Sequence, residues 1–297
     1  MRLRETDKIR MNPWFTKAGG LEKAREREIV IGPEDGLNRY WSDFWRYRDL
    51  LAFLTWRDVL ARYKQTVIGV AWSLIRPIVT MVVFTVVFGR LAGLPSGDAP
   101  YPVLVYAALL PWQFFSVSVS ESGNSLVNNA HLITKVYFPR LIIPIGALVV
   151  GLIDFLVSVA VYAGLMAYYG FLPDWRIATV PLFLLLAVGT SLGFGLWFAA
   201  LMVKYRDFRH VLPFLVQVGL FLSPVGFNSA IVPEKWRLLY SLNPMVGVID
   251  GFRWGLLRGA TPLYLPGVVL SIVLTLAVLW GGIRYFRRTE QAFADVI

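Results

Sequence analysis

The sequence predicts an all-α, polytopic membrane protein, and three observations predict it. Six apolar blocks are about 20 residues long or more, the length that crosses a bilayer core of about 30 Å. Charged residues make up only 16% of the 297, against roughly 25% in an average soluble domain. Basic residues gather at the ends of the apolar blocks, unequally on the two sides.

Residues 1–38 are polar, with mixed charges from Glu22 to Glu28 and then Gly32, Pro33, Glu34, Asp35 and Gly36. They read as a cytoplasmic N-terminal extension. No apolar stretch follows Arg2, Arg4, Lys8 and Arg10, so no cleavable signal peptide is expected. Residues 39–66 change character. Trp41, Phe44, Trp45, Leu51, Leu54, Val59, Leu60 and Tyr63 recur at helical spacing, with Arg46, Arg48, Arg57, Asp58, Arg62 and Lys64 among them. This pattern predicts an amphipathic helix lying in the membrane interface, or alternatively a helix of a small soluble domain.

A transmembrane domain occupies 67–297. Its spans are expected at about 67–89, 101–120, 141–169, 177–203, 211–229 and 264–286. Pro77, Pro111 and Pro144 fall inside them and are tolerated where neighbouring helices satisfy the freed carbonyls. With the N-terminus inside, twelve basic residues lie on the inner side: Arg48, Arg57, Arg62, Lys64, Lys135, Arg140, Lys204, Arg206, Arg209, Arg284, Arg287 and Arg288. The outer side holds six: Arg90, Arg176, Lys235, Arg237, Arg253 and Arg258. The bias predicts that both ends face the cytoplasm.

Residues 230–263 are too apolar for an ordinary external loop and too broken to span. A short helical pattern starting at Pro233 stops at Asn243 and Pro244. Gly247, Gly251, Gly255 and Gly259 then recur every four residues, which on a helix makes one stripe that another backbone can approach closely. The expectation is two short re-entrant external helices within about 233–259, buried against protein. The alternative is that the second lies flat on the outer surface. Two charges sit inside spans, Arg76 in the first and Asp154 near the middle of the third. They pair with each other, or Arg76 faces a watery path and meets anionic substrate.

Several chemistries are excluded by what the sequence lacks. There is no cysteine, and His131 and His210 have no clustered second ligand, so no metal site is expected. No G-x-x-x-x-G-K-[ST] loop, H-E-x-x-H motif or paired-aspartate cluster is present. The chain is therefore not expected to be an enzyme or to bind a cofactor itself. Ser73, Ser116 and Ser118 read as helix-packing residues. The net charge of +10 suits anionic lipid rather than nucleic acid, because the basic residues flank apolar blocks.

Several stretches together carry a family resemblance. Tyr47 to Asp58 (YRDLLAFLTWRD) leads into Arg62 to Trp72 (RYKQTVIGVAW). Later come Leu132 to Arg140 (LITKVYFPR), Tyr205-Arg206-Asp207, Val232 to Trp236 (VPEKW) and Leu242 to Met245 (LNPM). From about residue 40 to the C-terminus the sequence resembles the membrane subunit of type-2 ABC exporters of polysaccharides, the O-antigen, teichoic acid and capsule permeases. The resemblance implies a bacterial inner-membrane homodimer with two separate ATP-binding subunits, so that ATP and magnesium belong to the partner. It implies a lipid-linked glycan as cargo, most fittingly O-antigen.

Within that family frame, residues 124–140 become the cytoplasmic coupling segment. Asn128, Asn129, His131 and Lys135 would meet the ATPase, joined by Arg57 and Asp58 of the interface helix, while Val136, Tyr137 and Phe138 anchor the segment. A tunnel along the first, second and fifth spans would be lined by Trp72, Phe84, Phe88, Trp112, Phe114, Phe115, Phe214 and Phe221, with Arg76 on its wall. Aromatic faces suit sugars because they bind apolar C–H faces and tolerate sliding. Gly247, Gly251, Gly255 and Gly259 would belong to the external gate. The alternative function is an ATPase-independent channel or secondary transporter, which would purify without a nucleotide-binding subunit. A membrane transferase would need acidic metal ligands that the sequence does not supply.

Overall fold

The computed structural model describes residues 37–64, 69–135, 137–290 and 293. Residues 1–36 of the expected extension, the side chains of Trp41, Trp72 and Ser73, and Val136 lie outside the described residues. Every regular element among those described is helical. In chain order they are α1 (Leu37–Arg46), α2 (Arg48–Lys64), α3 (Gly69–Phe84), α4 (Tyr101–Asn128), α5 (Ala130–Ile133), α6 (Ile142–Tyr168), α7 (Val180–Lys204), α8 (Phe208–Leu222), α9 (Glu234–Tyr240), α10 (Pro244–Leu256) and α11 (Leu265–Glu290). A wider π turn, Thr85–Leu91, prolongs α3, and a 3-10 turn, Trp175–Thr179, leads into α7.

Among the described residues, five stretches are long and apolar enough to cross a membrane: Leu74–Leu91, Tyr101–Asn128, Ile142–Tyr168, Trp175–Lys204 and Leu265–Glu290. The expected fifth span, 211–229, is shorter than the sequence suggests. Its helix α8 has 15 residues, about 22 Å at 1.5 Å per residue. Pro224 is the reason. It drives Ser223 into extended backbone (φ −102°, ψ 151°), and the chain continues as a buried non-helical run, Ser223 to Gly226.

The second span differs in the opposite sense. Expected to stop near residue 120, α4 runs on to Asn128. The small residues that make 118–125 look loop-like are what permit close packing there. Ser118 sits against Gly151 of α6, Ser122 against Gly195 of α7, and Gly123 against Leu212 of α8 and Phe198 of α7. The Ser122 hydroxyl donates to the Pro144 carbonyl at 3.0 Å. Helix α4 is thus the centre of the bundle, with α6 and α7 packed along it and α3, α8 and α10 also against it.

The expected single interface helix is two helices, broken at Tyr47. On α2 the apolar side chains divide. Phe53, Trp56 and Leu60 form an exposed stripe, while Leu54 is buried. The side of α2 that faces protein is mixed, apolar at Leu51 and Leu54 and polar at Thr55, Arg57 and Arg62, and it runs along the first half of α6, where Leu51 and Thr55 approach Gly146. Arg62 pairs with Asp154 at 2.9 Å and reaches Glu121 of α4 at 3.6 Å. The Tyr63 hydroxyl donates to the other oxygen of Asp154. The expected Arg76–Asp154 pair is therefore wrong: Asp154 is satisfied by α2, and the Arg76 side chain is exposed on α3.

Helix α10 is buried against protein, as expected of the second short helix. All of its residues except Trp254 are buried, enclosed by α4, α7 and α11. Gly247 meets Ser271 and Val268 of α11, Gly251 lies under the Phe183 ring of α7, and Gly255 faces Val180 and Thr179. The close-approach stripe exists, but Gly259 is not on it. It follows the end of α10 in left-handed backbone (φ 72°), beside Arg176.

Two outcomes follow from these contacts. Arg62→Asp and Asp154→Arg should each lower the melting temperature in detergent, by the equivalent of about 2 kcal/mol given that Arg62 is partly exposed. The double exchange should recover most of that loss; no recovery would refute the pairing. Gly251→Val should overlap the Phe183 ring and cost about 1–3 kcal/mol by overpacking. Adding Phe183→Ala should relieve part of the penalty, and strictly additive losses would show that the two do not touch.

Candidate functional site

Three regions combine polar chemistry with open or strained geometry. The first is a cleft of about 440 Å³ where α2 meets the ends of α4 and α6, lined by Arg57, Asp58, Arg62, Glu121, Asn128 and Asn129. The Arg57 guanidinium donates to Asp58 at 2.9 Å and to the Asn129 side-chain carbonyl at 2.8 Å. Asn129 also donates to the Ser125 carbonyl at 2.9 Å, where α4 ends. The structure thus gathers Arg57, Asp58, Asn128 and Asn129 into one polar surface.

His131 and Lys135 stand outside that cleft, exposed on α5 and the turn after it. The expected anchors divide: Phe138 is buried, while Tyr137 is exposed. Arg140 fixes the far end of the segment. Its backbone amide donates to the Glu290 carboxylate at 2.8 Å, and its guanidinium lies over the Phe293 ring. Sequence reasoning missed Glu121 and the part played by Arg62. A signal existed for Glu121: with Ser125, Asn128 and Asn129 it repeats at four, seven and eight residues, one face of a helix.

The second region is a groove of about 380 Å³ between α3, α4 and α8. Ile75, Val79 and Leu220 supply apolar walls, and Arg76, Trp112, Gln113 and Ser116 supply the rest. Arg76 has no ion pair among the described residues. Farther along, Phe84, Phe88 and Phe221 cluster, with centroids 5.3 Å apart for Phe84–Phe88 and 6.5 Å for Phe84–Phe221. Trp112 packs on Phe115 at 5.4 Å and against Gly219. Phe214 projects from α8, 63% exposed. Phe114 departs from the expectation. It is buried against Phe155 of α6, so its ring closes the protomer interior and does not face the groove.

The third region lies around α10 and was not read from the sequence. Arg253, counted among the outer charges, is fully buried. Its guanidinium donates to the carbonyls of Phe227 at 2.6 Å, Val225 at 2.8 Å and Leu104 at 3.3 Å. The Tyr101 hydroxyl donates to the Gly226 carbonyl at 2.7 Å. Asp250 accepts from the Ser229 hydroxyl at 2.6 Å. Burial raises the Asp250 carboxyl, to about 6, against the opposing pull of Ser229, Arg253 and Arg237. These contacts fasten the broken chain after α8 onto α10 and α4. The available signal was an Asp and an Arg three residues apart inside an otherwise apolar helix.

Comparison with known proteins fits this geometry. A sequence model of the family described as "ABC-2 type transporter" matches residues 49–257, from the start of α2 to just beyond α10. The O-antigen export system permease protein RfbA of Myxococcus xanthus is 29% identical over 261 residues, covering 87% of this chain and 99% of its own length. The protein of the same name from Klebsiella pneumoniae is 26% identical over 257 residues, covering 84% and 95%. The polysialic acid transport protein KpsM of Escherichia coli is 26% identical over 243 residues, covering 80% and 92%. With the match spanning the α2 cleft, the α3–α8 groove and the Arg253 staple, the chain belongs to the ABC-2 type transporter family of membrane proteins.

Proposed function

We propose that the protein is the permease subunit of an ATP-driven exporter that moves a lipid-linked polysaccharide of the O-antigen class across the bacterial inner membrane. The observation that carries this reading is the similarity to O-antigen export permeases over nearly their whole length. The working unit is a homodimer with two ATP-binding subunits, which hold the ATP and magnesium. Both termini face the cytoplasm. The charge bias behind that orientation strengthens once Arg253, being buried, leaves the outer tally of six, reducing it to five.

In this reading α8 and the non-helical run after it together make the sixth crossing, and α9 and α10 dip from the outer face as a gate. The polar cleft and the α5 turn receive the ATPase: Arg57, Asp58, Asn128 and Asn129 as a fixed surface, His131 and Lys135 as its exposed rim. Because Arg57 is bonded both to Asp58 and to Asn129, a push on α5 is passed to α2 and to α4 together. The cargo passes along the α3–α8 side, where Phe88 and Phe221 offer ring faces backed by the buried Phe84 and Trp112, and Arg76 supplies a cation for its phosphate.

Co-purification with an ATP-binding partner, followed by ATPase assays with lipid-linked glycan, tests the proposal; an active transporter lacking such a partner would overturn it. Lys135→Glu should lower export and glycan-stimulated ATP hydrolysis about tenfold, the effect of roughly 1.4 kcal/mol, with unchanged protein in the membrane. Unaltered rates would remove Lys135 from the coupling surface. Phe84→Ala with Phe221→Ala should cut glycan-stimulated turnover about three- to tenfold, in line with the energy of one aromatic pair. Basal ATP hydrolysis should stay the same, and equal loss of both activities would point to a folding role instead.

A further inference from the structure

The turn between α7 and α8 encloses a separate hollow of about 370 Å³ against the end of α4. Helix α7 stops where Tyr205 turns to extended backbone (φ −134°, ψ 108°), and α8 restarts at Phe208. The turn sets Arg206, Arg209 and His210 around one cavity, whose remaining wall is apolar, from Val127, Met202 and Val203. No carboxylate lines it. None of the three basic side chains has a hydrogen-bond or ion-pair partner among the described residues. Like charges held around one hollow repel one another, and an anion seated there removes that cost.

Two further features identify the kind of anion. The turn begins directly after the stretch Trp175–Lys204, long enough to cross the membrane, which sets it at headgroup depth. On α8, directly after His210, Val211, Phe214 and Leu215 are exposed apolar side chains. Charge over an apolar wall that continues into the hydrocarbon fits an amphiphile. An acidic protein surface would leave that wall unused. We propose that this hollow binds the phosphodiester headgroup of an anionic phospholipid, with Arg206, Arg209 and His210 as ligands and α8 supporting an acyl chain.

Purified full-length protein in detergent, titrated with dioctanoyl phosphatidylglycerol and dioctanoyl phosphatidylcholine, tests the site by calorimetry or native mass spectrometry. The wild-type protein should bind the anionic lipid saturably and at least about tenfold more tightly than the zwitterionic one. Arg206→Gln with Arg209→Gln should weaken phosphatidylglycerol about 30-fold, at roughly fivefold per basic side chain. Arg206→Lys with Arg209→Lys should retain most of the affinity, and Lys235→Gln, remote from the hollow, should retain all of it. Equal binding of the two lipids by wild-type protein overturns the proposal even if no variant folds. So does an undiminished affinity in the Gln pair. If inorganic phosphate competes as well as the lipid, the apolar wall contributes nothing and the amphiphile is refuted. If the Gln pair keeps its lipid affinity but loses an ATP-binding partner, the patch is a protein contact instead.

Discussion

A buried backbone carbonyl left without a donor costs on the order of 1–3 kcal/mol, and one buried guanidinium meets that constraint at the point where the fold most violates regularity. Pro224 ends α8 early and leaves carbonyls from 225 to 227 with no helical partner. Arg253 and Tyr101 supply donors to all three. The charge itself is costly to bury, so the arrangement requires several bonds to one cation. Arg, with five N–H donors in a rigid fork, can make them where Lys could not. The position of α10 therefore depends on the break in α8, and the break depends on α10.

The rest of the bundle is held by small residues that bring helix axes close. Ser118, Ser122 and Gly123 do this on α4, as do Gly195 on α7 and Gly251 on α10. In a membrane the gain comes from dispersion and hydroxyl bonds rather than from expelling water. The Thr190–Thr275 hydroxyl contact at 2.7 Å, between α7 and α11, is of this kind. Helix α3 and the π turn after it instead turn much of their apolar surface outward. On α3, Val79, Val82, Val83 and Val87 are all exposed, as expected of a helix that faces lipid or a second protein surface.

The long apolar helices were legible from hydropathy because length and composition are local properties. The glycine stripe at 247, 251 and 255 was legible because spacing is local too. What escaped the sequence was pairing across distance. Asp154 is as close in sequence to many charges as to Arg62, and nothing local says that α2 folds back along α6. Arg253 was misread because a charge tally treats every arginine as solvated. Phe114 and Phe115 are neighbours with opposite fates, one facing α6 and the other Trp112 and Phe194, and a residue list cannot tell adjacent faces apart without the helix phase. Of the residues expected to meet the ATPase, Arg57, Asp58, Asn128 and Asn129 do come together, and the helical spacing that would have added Glu121 to them was present but unread.

The mixed docking face of α2 has a mechanical consequence. A helix docked by its apolar face resists displacement over its whole contact area, because every ångström of movement exposes oil to water. Helix α2 keeps Phe53, Trp56 and Leu60 outward and fastens itself through Arg57, Arg62 and Tyr63, beside the buried Leu54. Such a joint has discrete teeth. It holds firmly in one register, releases when a few ionic contacts are exchanged, and leaves the outward apolar stripe in the same surroundings before and after. The smaller the apolar area on that face, the less hydrophobic work a shift of the helix takes.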